Sequence, residues 1–103
     1  MPILALLRVV PIGTASPSLS SYVAKVIEVL RKRGVNYVLG PMGTSIEIDG
    51  FDELAQLLKE IVEVLRKEGV QRIAIDVSID IRFDKELTLR SKVASVEQKL
   101  GHS

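Results

Sequence analysis

The sequence predicts an α+β fold in which strands and helices follow one another as β-α-β-β-α-β, with an additional helix at the C-terminus. One observation is an internal repeat, because VIEVLRKRGVNYV at 26–38 and IVEVLRKEGVQRI at 61–73 share Glu, Val, Leu, Arg, Lys, Gly and Val in the same order. The other is VQRIAIDVSIDI at 70–81, where apolar and polar residues alternate as in a strand with one buried face. Two strand–helix–strand units with right-handed crossovers place both helices on one face of a four-stranded antiparallel sheet. The predicted fold is therefore a ferredoxin-like sandwich.

Each element has its own sequence signal. Ser18 is a suitable N-cap for the first helix, and Thr88 is a suitable N-cap for the last. Gly34 and Gly69 follow basic residues at the two helix ends, where a left-handed residue is favoured. The predicted strands lie at about 3–12, 35–39, 43–49 and 70–81, and the predicted helices at about 18–33, 51–68 and 87–100.

Composition limits the function further. The length of 103 residues predicts a single domain, 1–103. Hydrophobic residues make up 47% of the chain and aromatic residues only 4%, which predicts a core of Val, Ile and Leu. Fourteen basic and 13 acidic residues give a net charge of +1, which argues against nucleic acid or an anionic membrane as a partner. The sequence contains no cysteine, which excludes thiolate catalysis and cysteine-based metal sites. His102 is the single histidine, which leaves almost nothing for a Ser/His catalytic site. The apolar start, MPILALLRVVP, has no basic region before it and is interrupted by Arg8, so we expect a buried strand of a cytoplasmic protein.

The sheet face opposite the helices is expected to be polar in part. In the last strand Asp76 and Ser78 alternate with isoleucine and valine, and in GPMGTSIEIDG at 40–50 Glu47 alternates with Ile46 and Ile48. Arg8 should share this open face, because a charge in a central strand avoids the covered core. The face is either a half-solvated surface with an ion pair or a surface that meets a ligand or partner. The stripe on the last helix likewise packs on its own sheet or on a neighbouring subunit.

Several segments together resemble one known family. They are VPIGT at 10–14, SLSSYVA at 18–24, PMGT at 41–44 with Glu47 three residues on, IDIRFDK at 79–85 and KVASV at 92–96. In order and spacing they are similar to the small thiamine-binding proteins. The resemblance covers essentially the whole chain. It implies a ferredoxin-like fold, homodimers that pair into homotetramers, and non-catalytic binding of thiamine or its pyrimidine portion, with no required cofactor.

The resemblance and the chemistry of thiamine together suggest a set of binding residues. Glu47 is expected to accept from the amino group or to compensate the cation, and Asp76 either does the same or holds Arg8. Thr44 and Ser78 are candidates to hydrogen-bond the edge of the pyrimidine ring, and Met42 is a candidate for an apolar wall of the pocket. Thr14 lies in a loop that could close over the ligand. Arg8 departs from the family pattern, and its charge opposes a thiazolium ring, which favours a neutral pyrimidine.

Two other functions remain. A purely structural or regulatory homo-oligomer would bury the open faces against each other and need no ligand. An acylphosphatase-like enzyme would need a phosphate cradle with an Arg and an Asn acting together, and Asn36 is the single Asn. Residues 13–16, GTAS, also lack the lysine of a phosphate-binding loop. We therefore expect a binding protein and not an enzyme.

Overall fold

The computed structural model describes residues 2–101, so His102 lies outside the described residues. The chain forms seven elements. They are β1 (Ile3–Ile12), α1 (Ser20–Lys32), β2 (Asn36–Leu39), β3 (Thr44–Ile48), α2 (Phe51–Lys67), β4 (Arg72–Asp80) and α3 (Leu89–Leu100).

The sheet confirms the predicted α+β fold. Its strands lie in the order β2-β3-β1-β4, and all three neighbouring pairs are antiparallel. The two crossover helices cover one face. Their buried residues pack with the odd-numbered residues of β1 and with Ile46 and Ile48 of β3 in one core. No helix within residues 2–101 is long and apolar enough to cross a membrane.

The two repeats end their helices in the same way. Gly34 and Gly69 have φ angles of 67° and 90°, and the residue after each donates its N–H to a carbonyl five residues back. The bonds are Val35 to Leu30 at 3.0 Å and Val70 to Leu65 at 3.2 Å. Each glycine also donates to the carbonyl three residues back, which completes a Schellman motif in both copies. The sequence repeat is thus also a repeat of local geometry.

The N-cap predicted for α1 is wrong. The residue at that position is Leu19, which makes no side-chain capping bond, and the Ser18 hydroxyl instead lies 3.2 Å from the Ser20 hydroxyl.

The C-terminal helix stands apart from the core. Thr88 caps α3 as predicted, by accepting from the N–H of Ser91 at 3.0 Å, and Ser91 returns the bond in a capping box. No residue of α3 is buried, and Val93 and Val96 are each 57% exposed. The helix therefore meets the rest of the chain mainly through its first turn.

Replacing Gly34 by alanine should destabilise the fold. The left-handed φ of Gly34 penalises any Cβ by about 1 kcal/mol, although space around that Cβ is open. Gly34→Asn is the matched control, because asparagine adopts the left-handed region more readily than alanine and a Cβ there meets nothing within 4 Å. Urea denaturation should show a larger loss for Gly34→Ala than for Gly34→Asn. Equal losses would contradict the role of the φ angle.

Candidate functional site

A cavity of about 290 Å³ lies where β1 extends beyond the end of β3. The pairing of β1 with β3 ends at Leu7 and Thr44, whereas β1 continues to Ile12 and remains paired with β4. The start of α1, with Leu19 and Val23, closes the cavity on the helix side. The volume is at the lower end of those found for small-molecule sites.

The tight turn between β2 and β3 forms another wall of the cavity. The N–H of Gly40 donates to the carbonyl of Gly43 at 2.9 Å, and a Cβ on Gly40 would lie only 2.8 Å from that oxygen. Glycine is therefore required for this turn. Pro41 and Met42 form its outer part, and the Met42 side chain is 77% exposed while lining the cavity. A flexible thioether at the mouth can adapt to different apolar groups.

Thr44 supplies the hydroxyl of the cavity. It shares the helix-covered face with Ile46 and Ile48, and it is only 5% exposed. Its hydroxyl makes no hydrogen bond within residues 2–101. Every fully enclosed polar side-chain atom in that range has a hydrogen-bond partner, so the Thr44 hydroxyl is not fully enclosed. The Thr44 hydroxyl therefore faces the cavity and can bond an occupant.

The structure brings Met42 and Thr44 together but separates them from the other four candidates. Thr14 lines a different depression, beside the turn between α2 and β4, and its hydroxyl donates to the Ser16 carbonyl at 2.8 Å. Asp76 and Ser78 point to the open face of the sheet, on the opposite side from Thr44. Ser78 there lines a groove beneath the first turn of α3.

Glu47 contacts neither Arg8 nor the cavity. Its Oε1 accepts from the backbone N–H of Leu89 at 2.9 Å, and its Oε2 accepts from the side-chain amide of Asn36 at 3.2 Å. A carboxylate at a helix N-terminus is favourable because the first N–H groups lack partners inside the helix. Glu47 therefore anchors α3 to the open face. Arg8 instead pairs with Asp76 at 3.6 Å, with both side chains largely exposed.

Ion pairs hold the loop before α3 and the first turn of that helix. Lys92 pairs with Asp80, which fixes the first turn of α3 to β4. Arg82 donates to both carboxylate oxygens of Asp84, at 2.7 and 2.5 Å. These hydrogen bonds lower the pKa of Asp84 to about 2. No group of three or more His, Asp or Glu within residues 2–101 is arranged to hold a metal ion.

Sequence reasoning missed part of the cavity. Val9, Leu19 and Val23 line it, yet each has the apolar side chain of an ordinary core position. The available signal was the length difference between the first strand and the one predicted at 43–49, since an unpaired stretch of strand leaves room beside it.

The fold and the cavity define a small α+β protein with helices on one face of a single sheet and a recess at the end of an incomplete strand pairing. The family model described as "Thiamine-binding protein" matches residues 5–97, and the chain belongs to that family. A UPF0045 protein of Methanothermobacter thermautotrophicus is 43% identical over 98 residues, which cover 95% of this chain and 99% of the relative.

Two solved structures have the same fold. A hypothetical protein from Methanocaldococcus jannaschii superposes with a TM-score of 0.80 and 34% identity, covering 92% of this chain and 95% of the other. A putative thiamine biosynthesis/salvage protein from Thermotoga maritima gives a TM-score of 0.77 at 24% identity, covering 93% of this chain and 99% of that one. These structures confirm the fold class.

Replacing Glu47 by alanine should loosen α3 at its first turn. The change removes a charge-assisted bond to the Leu89 N–H, and we expect a loss of about 1–2 kcal/mol in local stability. Amide hydrogen exchange should accelerate at Leu89 and along α3, while exchange in β1 stays slow. Glu63→Ala is the control, because Glu63 forms only an exposed pair with Arg66 on α2. Unchanged exchange at Leu89 would contradict the anchoring role.

Proposed function

We propose that this protein binds thiamine or a related pyrimidine without transforming it, in the cavity beside Thr44, and that it does so as a homo-oligomer. The observation that carries the proposal is the Thr44 hydroxyl, which is nearly buried, unpartnered within residues 2–101 and directed into a largely apolar recess. A hydroxyl that is open to the cavity and bonds no protein group is free to hydrogen-bond an occupant with a matching group. The description of the family supports thiamine chemistry for that occupant.

Binding fits the cavity better than catalysis. Its polar groups are the Thr44 hydroxyl and backbone groups, while the Arg8 side chain pairs with Asp76 on the open face. A threonine without an adjacent base is a weak nucleophile, so the lining offers no activated catalytic group. The lining holds and orients a small molecule.

Thr44→Val tests the proposed site with almost no change in shape. Isothermal titration calorimetry should give heat with thiamine, a thiamine phosphate or hydroxymethylpyrimidine in the wild-type protein. In Thr44→Val we expect about tenfold weaker binding, since one hydrogen bond contributes about 1 kcal/mol. The stability of the variant should stay within about 0.5 kcal/mol of wild type, because the hydroxyl bonds no protein group.

Thr14→Val is the matched control, because it removes the same hydroxyl from a residue outside the cavity. Its ligand affinity should equal that of the wild type. Absence of heat with all three ligands would overturn the proposed function. Binding that weakens with Thr14→Val and not with Thr44→Val would move the site to the β1–α1 loop.

The proposed homo-oligomer, a dimer that pairs into a tetramer, is supported by two apolar surfaces. Val93 and Val96 form an exposed stripe on α3, and Leu6 is 47% exposed on the open face of the sheet. A helix with such a stripe gains stability chiefly by packing it. We infer that a second copy of the chain covers these surfaces, since the stripe and the open face occur on every copy and can bury each other.

Light scattering coupled to gel filtration tests the assembly. The wild-type protein should elute as a tetramer or dimer, and Val93→Glu combined with Val96→Glu should shift it towards the monomer by placing charge in the contact. Ser95→Glu is the control, because Ser95 lies on the other side of α3 and bonds the Ser91 carbonyl. A wild-type monomer at high concentration would contradict the assembly.

A further inference from the structure

β4 lies at one edge of the sheet, and its outer side has no partner within residues 2–101. On its inner side all nine residues of β4 pair with β1, in a register without a bulge. The strand contains no proline, and its outer N–H and C=O groups form no other hydrogen bond within residues 2–101. β4 therefore presents an uninterrupted row of backbone donors and acceptors, which natural proteins normally block or pair.

The apolar face of β4 is also incompletely covered. Leu7 of β1, beneath the helices, is only 2% exposed, whereas Ile73 and Ile75 of β4 are partly buried and Ile79 is 42% exposed. A groove of about 630 Å³ lies between β4 and α2, where Val62 is 36% exposed. A strand edge beside an open apolar groove is the kind of surface to which a further strand binds.

The opposite edge of the sheet offers no such surface. β2 extends only over Asn36–Leu39, and the tight turn closed by Gly40 and Gly43 follows at once. A short edge strand is one of the devices by which proteins prevent pairing with another chain. β4 is therefore the edge of this sheet that is suited to a partner strand.

Charge decides which partner strand fits. β4 carries Arg72 and Asp76 on the open face, four residues apart, and the Arg72 side chain makes no ion pair within residues 2–101. An antiparallel second copy of β4 centred on Ala74 places Arg72 opposite the second copy's Asp76, and two-fold symmetry repeats the pair. A register centred on Asp76 opposes the two carboxylates, and one centred on Ser78 opposes Asp76 and Asp80. Like charges directly opposite one another are unfavourable.

The same register also pairs the apolar face. It places Ile73 opposite the second copy's Ile75, beside the groove under each α2, and apolar β-branched pairs stabilise neighbouring strands. Asp76 can serve two arginines at once. Its Oδ2 lies 3.6 Å from Arg8, and a carboxylate accepts hydrogen bonds through both oxygens.

We propose that two copies of this chain join through β4, antiparallel and centred on Ala74, so that the four strands of each copy form one continuous sheet. This inference rests on the homo-oligomer of the proposed function and is independent of its ligand. The contact is separate from the one through α3, because the edge of the sheet and its open face are different surfaces. A dimer joined through one surface and paired through the other is a tetramer.

A single introduced cysteine reports the register, because the sequence contains no cysteine. Residues directly opposite one another have Cβ atoms about 5 Å apart, close to the separation that a disulfide needs. Val93→Glu with Val96→Glu removes the α3 contact. In that background, mild oxidation of Ala74→Cys should convert most of the protein into a covalent dimer on a non-reducing gel. Ser78→Cys is the control, because it is exposed on the same face but the two copies lie about 27 Å apart in this register.

Arg72→Asp tests the charge pairing in the same background of Val93→Glu with Val96→Glu. It should halve the mass measured by light scattering, because it places two carboxylates opposite each other. Adding Asp76→Arg exchanges the two charges and should restore the dimer. Lys32→Asp is the control for the charge change, because Lys32 is exposed on the last turn of α1, which leads to β2 at the other edge of the sheet.

The outcomes keep the two contacts apart. A monomer in the background that lacks the α3 contact overturns the pairing through β4 and leaves the α3 contact and ligand binding standing. Cross-linking of Ser78→Cys in place of Ala74→Cys overturns the register, as does an Arg72→Asp variant with unchanged mass or a charge exchange that does not restore the dimer. A monomeric wild-type protein overturns this inference together with the proposed homo-oligomer.

Discussion

The arrangement of helices on one face of the sheet is the constraint on which the other features depend. α1 and α2 pack into one core on the same face of the sheet, as two right-handed crossovers predict, and leave the other face without a crossover helix. Side chains alternate along each strand, and β3 therefore sends Thr44 under the helices and Glu47 away from them. Two polar residues three positions apart thus lie on different surfaces of the sheet.

Unequal strand lengths within this sheet create the cavity. β1 extends over Ile3–Ile12, whereas β3 extends only over Thr44–Ile48 and ends at the glycine turn. β4 pairs with the whole outer part of β1, which keeps that part extended although its other edge has no neighbour. The sheet therefore holds an unpaired backbone segment rigidly in place, and rigid polar groups bind at a lower entropic cost than flexible ones.

Much of the fold could be predicted because its signals are local. The repeated helix ends at Gly34 and Gly69 and the alternation in β4 depend on neighbouring residues alone, and these elements appear where the sequence placed them. The site was harder to predict for a physical reason. The bond between Glu47 and the Leu89 N–H joins residues 42 positions apart, and no local pattern encodes it.

Thr44 and Arg8 illustrate the same limit. We expected Thr44 in one site with Glu47 and Ser78, but alternation along β3 puts it on the covered face with Ile46. The pairing of Arg8 with Asp76 follows from their opposition in the β1–β4 register, which the sequence does not specify. Period-two patterns give the face of each side chain, whereas register decides which side chains meet.

β1 connects the two surfaces of the sheet. Val9 presents its backbone to the cavity, while the adjacent Arg8 pairs with Asp76 across the open face near Leu6. Alternation along β1 therefore sends these two neighbouring residues to different surfaces of the sheet. A substitution of the Arg8 side chain acts on the open face, whereas the backbone edge of Val9 stays in place because the pairing with β4 holds it.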